Sequence, residues 1–473
     1  MGSKSAFAQA LAQSHGRPHP DRQREGKALR EHCPRSRHGA WTLRDDRADP
    51  IDLLQANSEG REAALLPLRY GRMLASPFTF FRGAAAIMAH DLAATPDTRL
   101  PVVACGDAHL LNFGGFATPE RRLVFDINDF DEVSAAPWEW DVKRLAASFA
   151  IAAQAYGCND TEAREAAWWA ARSYRLNMAR YATLPVLQAY YEQIDLAKLV
   201  ESGTDAELKK LHRKRLKKAQ CDQAHVAEFA KLAVDASETP RIRDSPPLIF
   251  HDRDIQTNRH QRAEAEAMLA RYRLSLAPER RVLLDRYRLA DVALKVVGVG
   301  SVGTYCGIAL MVSGGGDPLF LQFKEARASV LEAYAGRAPF AQHGQRVVFG
   351  QRLTQAASDV FLGWMKGTKD LAGRHFYVRQ LRDAKVKVPV ELMNPANLCN
   401  YAKACGWALA RAHKRSGDAV RLSGYMGLAD GSAAFDDAVA EFALRYAVQN
   451  ERDHAALKAA VRSGRIEASS DLV

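Results

Sequence analysis

Three groups of residues in this chain of 473 have types and spacings suited to chemistry on phosphates. The first is Gly106-Asp107-Ala108-His109-Leu110-Leu111-Asn112, followed by Phe125-Asp126-Ile127-Asn128-Asp129-Phe130-Asp131. Moving a phosphoryl group onto a hydroxyl needs a carboxylate to take the hydroxyl proton and oxygen ligands for Mg²⁺. Asp107, with His109 beside it, can supply the base; Asn112 and an aspartate of the second run can hold the metal. Asp126, Asp129 and Asp131 crowd one strand end, where alternate residues point to opposite faces. Their types alone do not separate them.

The second group is Gly298-Val299-Gly300-Ser301-Val302-Gly303. Gly298, Gly300 and Gly303, with Ser301 among them, allow a backbone turn to approach phosphates and aim N–H groups at them. A dinucleotide-binding unit would continue into a helix. Here TYCGIALMV reads as a strand, which favours a glycine turn lying over phosphates between two strands. The third group is Lys324, which ends the apolar run Leu319–Phe323 one hairpin later, and Glu332, eight residues on, its candidate partner. Each feature also occurs as plain structure; their succession is what points to a nucleotide. Arg82 in FFRG, and Arg379, Arg382 and Asp383 in YVRQLRD, are further candidates, as anion clamps or as structural ion pairs.

The elements that must position these residues follow from periodicity. Residues 1–50, rich in Arg, His, Gly and Pro without apolar rhythm, read as a disordered basic arm. Residues 51–285 read as a helical part carrying the aspartate loops. Residues 286–390 read as a β-rich, nucleotide-binding part, with a hairpin turning at Gly314–Asp317. Residues 391–473 read as helices returning to the helical part. The fold class is α+β, in a helical, β-rich, helical sequence.

Lys and Arg number 66 against 55 Asp and Glu, giving +11, so the chain attracts anions. Lys209 to Lys218 is the densest basic run, read as a solvated helix with Leu211 and Leu216 inward. Nucleic acid is a partner that the charge allows but nothing else favours. No apolar run is long enough to span a membrane. Seven scattered cysteines without CxxC spacing argue against a zinc site or disulfides, and for a reducing cytoplasm.

The segments GDAHLLN, INDFDEV and PWEWDVKRLA resemble the catalytic core of aminoglycoside phosphotransferases and choline kinases, within the protein-kinase-like superfamily. The pattern there is HGDxHxxN, an Ile-Asp-Phe strand, then an Asp-Leu-Ala helix start. The steps Asp107 to Asn112 and Asp129 to Asp141 match it. The resemblance implies a bilobal kinase-like fold, ATP and Mg²⁺ as cofactors, Asp107 as base, Asp129 as the principal metal ligand over Asp126, and Asp141 as a brace. His109, where protein kinases carry Lys, implies a small-molecule acceptor. The first histidine of the pattern is Cys105 here. The order is also reversed: Asp107 precedes Gly298 and Lys324 by about two hundred residues. That implies circular permutation, with ALARAHKRSGD (408–418) resembling the helix that ordinarily runs into the catalytic loop. Nearly the whole chain after the arm, including FFRGAA, FLQFKEA and FYVRQLRD, resembles a family of bacterial proteins, the domain of unknown function 2252. The function these readings imply is ATP-dependent phosphotransfer to a small-molecule hydroxyl. The alternatives are a nucleotide-binding pseudokinase, an AMP-transferase, or a nucleic-acid-associated protein.

Overall fold

The computed structural model describes residues 16–201, 206–219, 232–234, 240–252, 258–296, 298–381, 385–386, 388–427 and 431–469. In chain order the first helices are α1 (His19–Ala28), α2 (Pro50–Ser58), α3 (Leu66–Leu74), α4 (Pro77–Gly83) and α5 (Ala85–Ala93). Four short strands follow: β1 (Pro101–Ala104), β2 (Phe113–Ala117), β3 (Leu123–Ile127) and β4 (Ser134–Pro137). Helices α6 (Trp138–Ala155), α7 (Asp160–Thr183), α8 (Val186–Tyr191), α9 (Leu196–Glu201) and α10 (Ala206–Ala219) come next. After β5 (Ala233–Val234), β6 (Arg241–Ile242) and β7 (Ile249–Phe250) lie α11 (Arg259–Ser275) and α12 (Pro278–Leu284). The main strands are β8 (Tyr287–Lys295), β9 (Cys306–Ser313) and β10 (Pro318–Glu325). They are followed by α13 (Glu332–Ala335), α14 (His343–Thr354), β11 (Gly363–Lys366), β12 (His375–Gln380), α15 (Pro395–Lys414), α16 (Ala419–Met426) and α17 (Ala434–Arg462).

The expected α+β class holds, with the chemistry divided between two apolar cores. The larger joins α6, α7, α15 and α17 around Trp138, which stacks on Tyr174 at 5.5 Å. Alanine-rich faces let these helices approach closely. At the crossing of α7 and α15, a Cβ on Gly406 would lie 2.3 Å from the Ala170 carbonyl oxygen. Alanine favours a helix over glycine by about 1 kcal/mol, but a backbone clash here cannot be relieved by a rotamer. Gly406→Ala is therefore expected to destabilise by about 1–3 kcal/mol, read from the urea midpoint; a stabilised variant would refute the close approach.

The second core lies on a six-stranded antiparallel sheet of order β11-β12-β10-β9-β8-β7. Lys324 pairs across with Cys306 on β9 and Tyr377 on β12, so these three side chains share a face. The alternate residues Leu321, Phe323 and Val378 face the other way and pack under Met268, Tyr272 and Leu276 of α11. The glycine turn joins β8 to β9, and Ser313–Asp317 closes the β9–β10 hairpin as expected.

Three expectations need correction. Residues 16–50 are not a loose arm: α1 and the turns after it pack on α16 and α17, burying Cys33 and His38, with Arg30 donating to the Tyr425 and Gly424 carbonyls. Few apolar residues are needed there because arginine–carbonyl bonds do the anchoring. Residues 1–15 lie outside the described residues. The β-rich part starts before 286, since β7, α11 and α12 already belong to the sheet and its core. On α10, Leu216 is buried as expected while Leu211 is only half-buried. Among the described residues no helix is long and apolar enough to cross a membrane.

Candidate active site

The turn after β1 presents Asp107. Gly106 has φ +81°, and a Cβ there would lie 2.3 Å from the Glu132 carbonyl oxygen, so glycine is required. Asp141, in the first turn of α6, accepts the Cys105 and Gly106 N–H groups at 2.7 and 3.0 Å. His413, near the end of α15, donates Nε2 to the same carboxylate at 3.0 Å, and Tyr174 donates its hydroxyl to His413 Nδ1. Ser416 accepts the Val103 N–H. The end of α15 is thus tied directly to β1 and the loop after it. Asp141 holds backbone and does not line the cavity beside Asp107.

That cavity is about 250 Å³, and Asp107, His109, Asn112, Asp129 and Asp131 line it together with Gly298, Gly300 and Ser301. Asp107 Oδ1 accepts from Arg144 Nε at 2.7 Å, and Arg144 lies over the Phe81 ring. Asp107 Oδ2 is 3.8 Å from His109 Nε2. Burial, then the Arg82 and Arg144 charges, hold the His109 pKa well below the usual imidazole value. It is a neutral ring whose Nδ1 accepts the Leu111 N–H. Asn112 Nδ2 donates to the Asp107 carbonyl at 2.8 Å, so Asn112 Oδ1 is the atom that could accept a ligand.

The β2–β3 hairpin sets the aspartates apart. Asn128 N–H donates to the Asn112 carbonyl, joining the two loops. Asp129 accepts only the Asp131 N–H, at 3.3 Å, and has no ion-pair partner among the described residues. Burial and the neighbouring Asp131 charge push its pKa up. Asp131 takes Lys324 Nζ at 2.5 Å and the Tyr377 hydroxyl at 2.7 Å, with Ser301 at 3.3 Å. Burial opposes its charge, but Lys324 and these bonds outweigh burial and lower its pKa. Lys324 is likewise held charged against burial by Asp129 and Asp131.

Several sequence expectations are redirected. Asp126 is not in the cavity: it is fully buried and bound through both oxygens by Arg411, and it accepts the Ala356 N–H. On β3 it points to the face opposite the cavity. Glu332 does not meet Lys324; it lies 3.5 Å from Arg346, on the single turn α13, which packs against β4 and α5. Gly303 turns toward Arg61 and does not line the cavity, although its φ of +85° shows why glycine stands there. Arg379 bonds Gln322 and the Asn128 carbonyl, bridging sheet and loop. Arg382 and Asp383 lie outside the described residues.

Sequence reasoning missed Arg144, Tyr377 and Arg61. Arg144 follows Asp141 by three residues, so a helical face shared with that brace was a readable signal. Arg61 donates to the Gly300 and Val302 carbonyls at 2.7 Å each, and Arg72 to the Gly298 carbonyl. The glycine turn is thus held from behind by the segment after α2, and only tertiary contact reveals it.

Among the described residues no three His, Cys, Asp or Glu side chains form a metal cage. Mg²⁺ does not need one, since one or two protein ligands with phosphate oxygens and water suffice. Asn112 and Asp129 meet that requirement.

Residues 61–460 match the model of a family described as an uncharacterised protein conserved in bacteria, DUF2252. The chain belongs to this family. No curated protein and no solved structure matches it. The match to the DUF2252 model begins at Arg61, the residue that holds the glycine turn, and includes every described side chain of the cavity except those at Ala56 and Asn57. The packed segment 16–60 of this DUF2252 protein lies outside the match.

Proposed function

We propose that this chain is a circularly permuted, bilobal, kinase-like phosphotransferase acting on a hydroxyl of a small molecule. One observation carries the reading. Asp107, Asn112 and Asp129 share a single cavity with a glycine turn that lies about two hundred residues away in sequence, and Lys324 reaches its edge through Asp131. The succession within the sheet is also the expected one: glycine turn between the first two hairpin strands, lysine on the next. The tie between α15 and β1 supports permutation, since it brings 408–418 to the catalytic loop in space though not in sequence.

Bound Mg·ATP would supply the transferable phosphoryl group and charge neutralisation. Asp107 accepts the acceptor's proton on Oδ2, while Arg144 fixes Oδ1. Asn112 Oδ1 and Asp129 would hold the metal. Gly298–Ser301 line the cavity and would offer backbone N–H groups to the phosphates. Lys324, kept charged by Asp131, orients them. A second reading, nucleotide binding without transfer, draws on the pairing of Lys324 with Asp131 instead of a helix glutamate.

Mg²⁺-dependent transfer from γ-labelled ATP to a bacterial metabolite extract tests both. Lys324→Ala is expected to weaken ATP binding by about ten- to hundredfold, the loss of one charge-assisted hydrogen bond. Tight ATP binding without label transfer would select the second reading. Neither binding nor transfer would sink both. An α-labelled parallel reaction separates AMP transfer. Binding of nucleic acid by the full chain that survives Asp107→Asn and falls steeply with salt would instead favour a nucleic-acid-associated protein.

A further inference from the structure

The charged groups of the cavity can be paired off. Asp107 is matched by Arg144, Asp131 by Lys324 and Glu325 by Arg374. Glu132 accepts the Val330 N–H. Arg61 and Arg327 are spent on backbone carbonyls. Glu132, Arg61 and Arg327 thus have backbone partners in place of a counter-charge. Two further groups of opposite charge have no ion pair among the described residues. One is Asp129, which accepts only the Asp131 N–H and would hold the cation. The other is Arg82, at the end of α4, whose buried Nε has no hydrogen-bond partner and which makes no ion pair among the described residues. Burial lowers its pKa, while Asp107 and Asp129 are the carboxylates near enough to support its charge.

Arg82 is half-buried, and its Nε is closed to water without an acceptor; an unpartnered buried N–H of a charged group is costly, and an anion removes that cost. Planar guanidinium groups bind carboxylate and phosphate through paired N–H donors. The phosphates of a nucleotide would lie under the glycine turn and toward Lys324, on the sheet side. Arg82 comes from the helical side and lines the same cavity as Asp107 and His109, with its carbonyl against Gly300 at the edge of the turn. Whatever brings its hydroxyl to Asp107 must occupy that side.

We propose that the acceptor is itself an anion, a hydroxylated compound bearing a carboxylate or phosphate group that Arg82 binds. This rests on the phosphotransferase reading. In the transfer step the acceptor oxygen forms a bond to the γ-phosphorus, the bond from that phosphorus to the bridging oxygen breaks, the proton goes to Asp107, and ADP leaves. Arg82 neutralises the acceptor's charge, which otherwise repels the incoming phosphoryl group and the carboxylates around it.

The test separates the metabolite extract by ion exchange into anionic, neutral and cationic fractions before reaction with γ-labelled ATP. Label is expected in the anionic fraction. Arg82→Gln is expected to raise the apparent KM for that fraction at least about tenfold, with the KM for ATP little changed. Label confined to the neutral or cationic fraction overturns the proposal. So does an Arg82→Gln defect that falls on ATP, which would make Arg82 a nucleotide clamp. If no fraction is labelled, the phosphotransferase reading fails, and orthophosphate binding by the full chain, followed calorimetrically, still decides the anion site. Binding lost in Arg82→Gln and retained in Arg82→Lys supports it. Equal binding by wild type and Arg82→Gln overturns it.

Discussion

Asp107→Asn is expected to lower turnover about 10²- to 10⁴-fold, the range for removing a general base, with ATP affinity nearly unchanged. Asparagine fills the same space, and its amide oxygen can still accept from Arg144 at the position Asp107 Oδ1 occupies. The loop geometry is independent of this side chain, because Asp141 and His413 hold the Cys105–Gly106 backbone. What is lost is the capacity to take a proton at Oδ2. Neutral His109, 3.8 Å away and buried, is not a substitute base: its Nδ1 is committed to the Leu111 N–H and its Nε2 carries the proton. Single-turnover transfer of labelled phosphate measures the effect, and thermal unfolding confirms that the variant is folded. Wild-type rates in a folded Asp107→Asn protein would remove Asp107 from the mechanism.

The second large effect concerns stability. Arg411→Met is expected to cost about 3–5 kcal/mol, the usual result of removing one partner of a buried ion pair. Arg411 donates to both oxygens of Asp126 and to the Thr354 carbonyl, and both side chains are almost wholly buried. Without it, a carboxylate is left in an apolar setting with only backbone N–H donors. The double variant Asp126→Asn/Arg411→Met should recover part of the loss, because the stranded charge is gone. Urea unfolding followed by near-ultraviolet circular dichroism reads both. If Arg411→Met unfolds near the wild-type midpoint, and the midpoint rises with added Mg²⁺, Asp126 is a metal ligand after all.

These two residues show how far spacing could be read. The step from Asp107 to Asn112 is a property of one turn, and it placed both side chains in the cavity. The choice among Asp126, Asp129 and Asp131 was not local. On β3, Asp126 faces Arg411 of α15, almost three hundred residues on. Asp131, past the strand end, meets Lys324 of β10. Of the three, Asp129 has no ion-pair partner among the described residues. The same limit explains Glu332. Its distance from Lys324 in sequence suited a pair, but the segment between them passes through Arg327, Ser329 and Glu132 contacts that turn it toward Arg346.

The basic N-terminal stretch was misread for a related reason. Composition predicts whether a segment can build its own core. It does not predict whether that segment can lie on a core built elsewhere, as residues 16–50 do on α16 and α17.

The amino-acid sequence by itself determined the elements and their local chemistry: the glycine turn between strands, the lysine on the next strand, the aspartate loop braced by Asp141, and membership of the DUF2252 family. Those features depend on residues close in sequence, within one hairpin for the glycine turn and the lysine and within 36 positions for Asp141 and the loop it braces. The tertiary structure alone decided the ion-pair partners: Asp131 for Lys324, Arg411 for Asp126, Arg144 for Asp107, and, among the described residues, none for Arg82. Charges attract over distance without regard to chain separation, so their pairing is settled only when packing has decided which faces come together and which are closed to water.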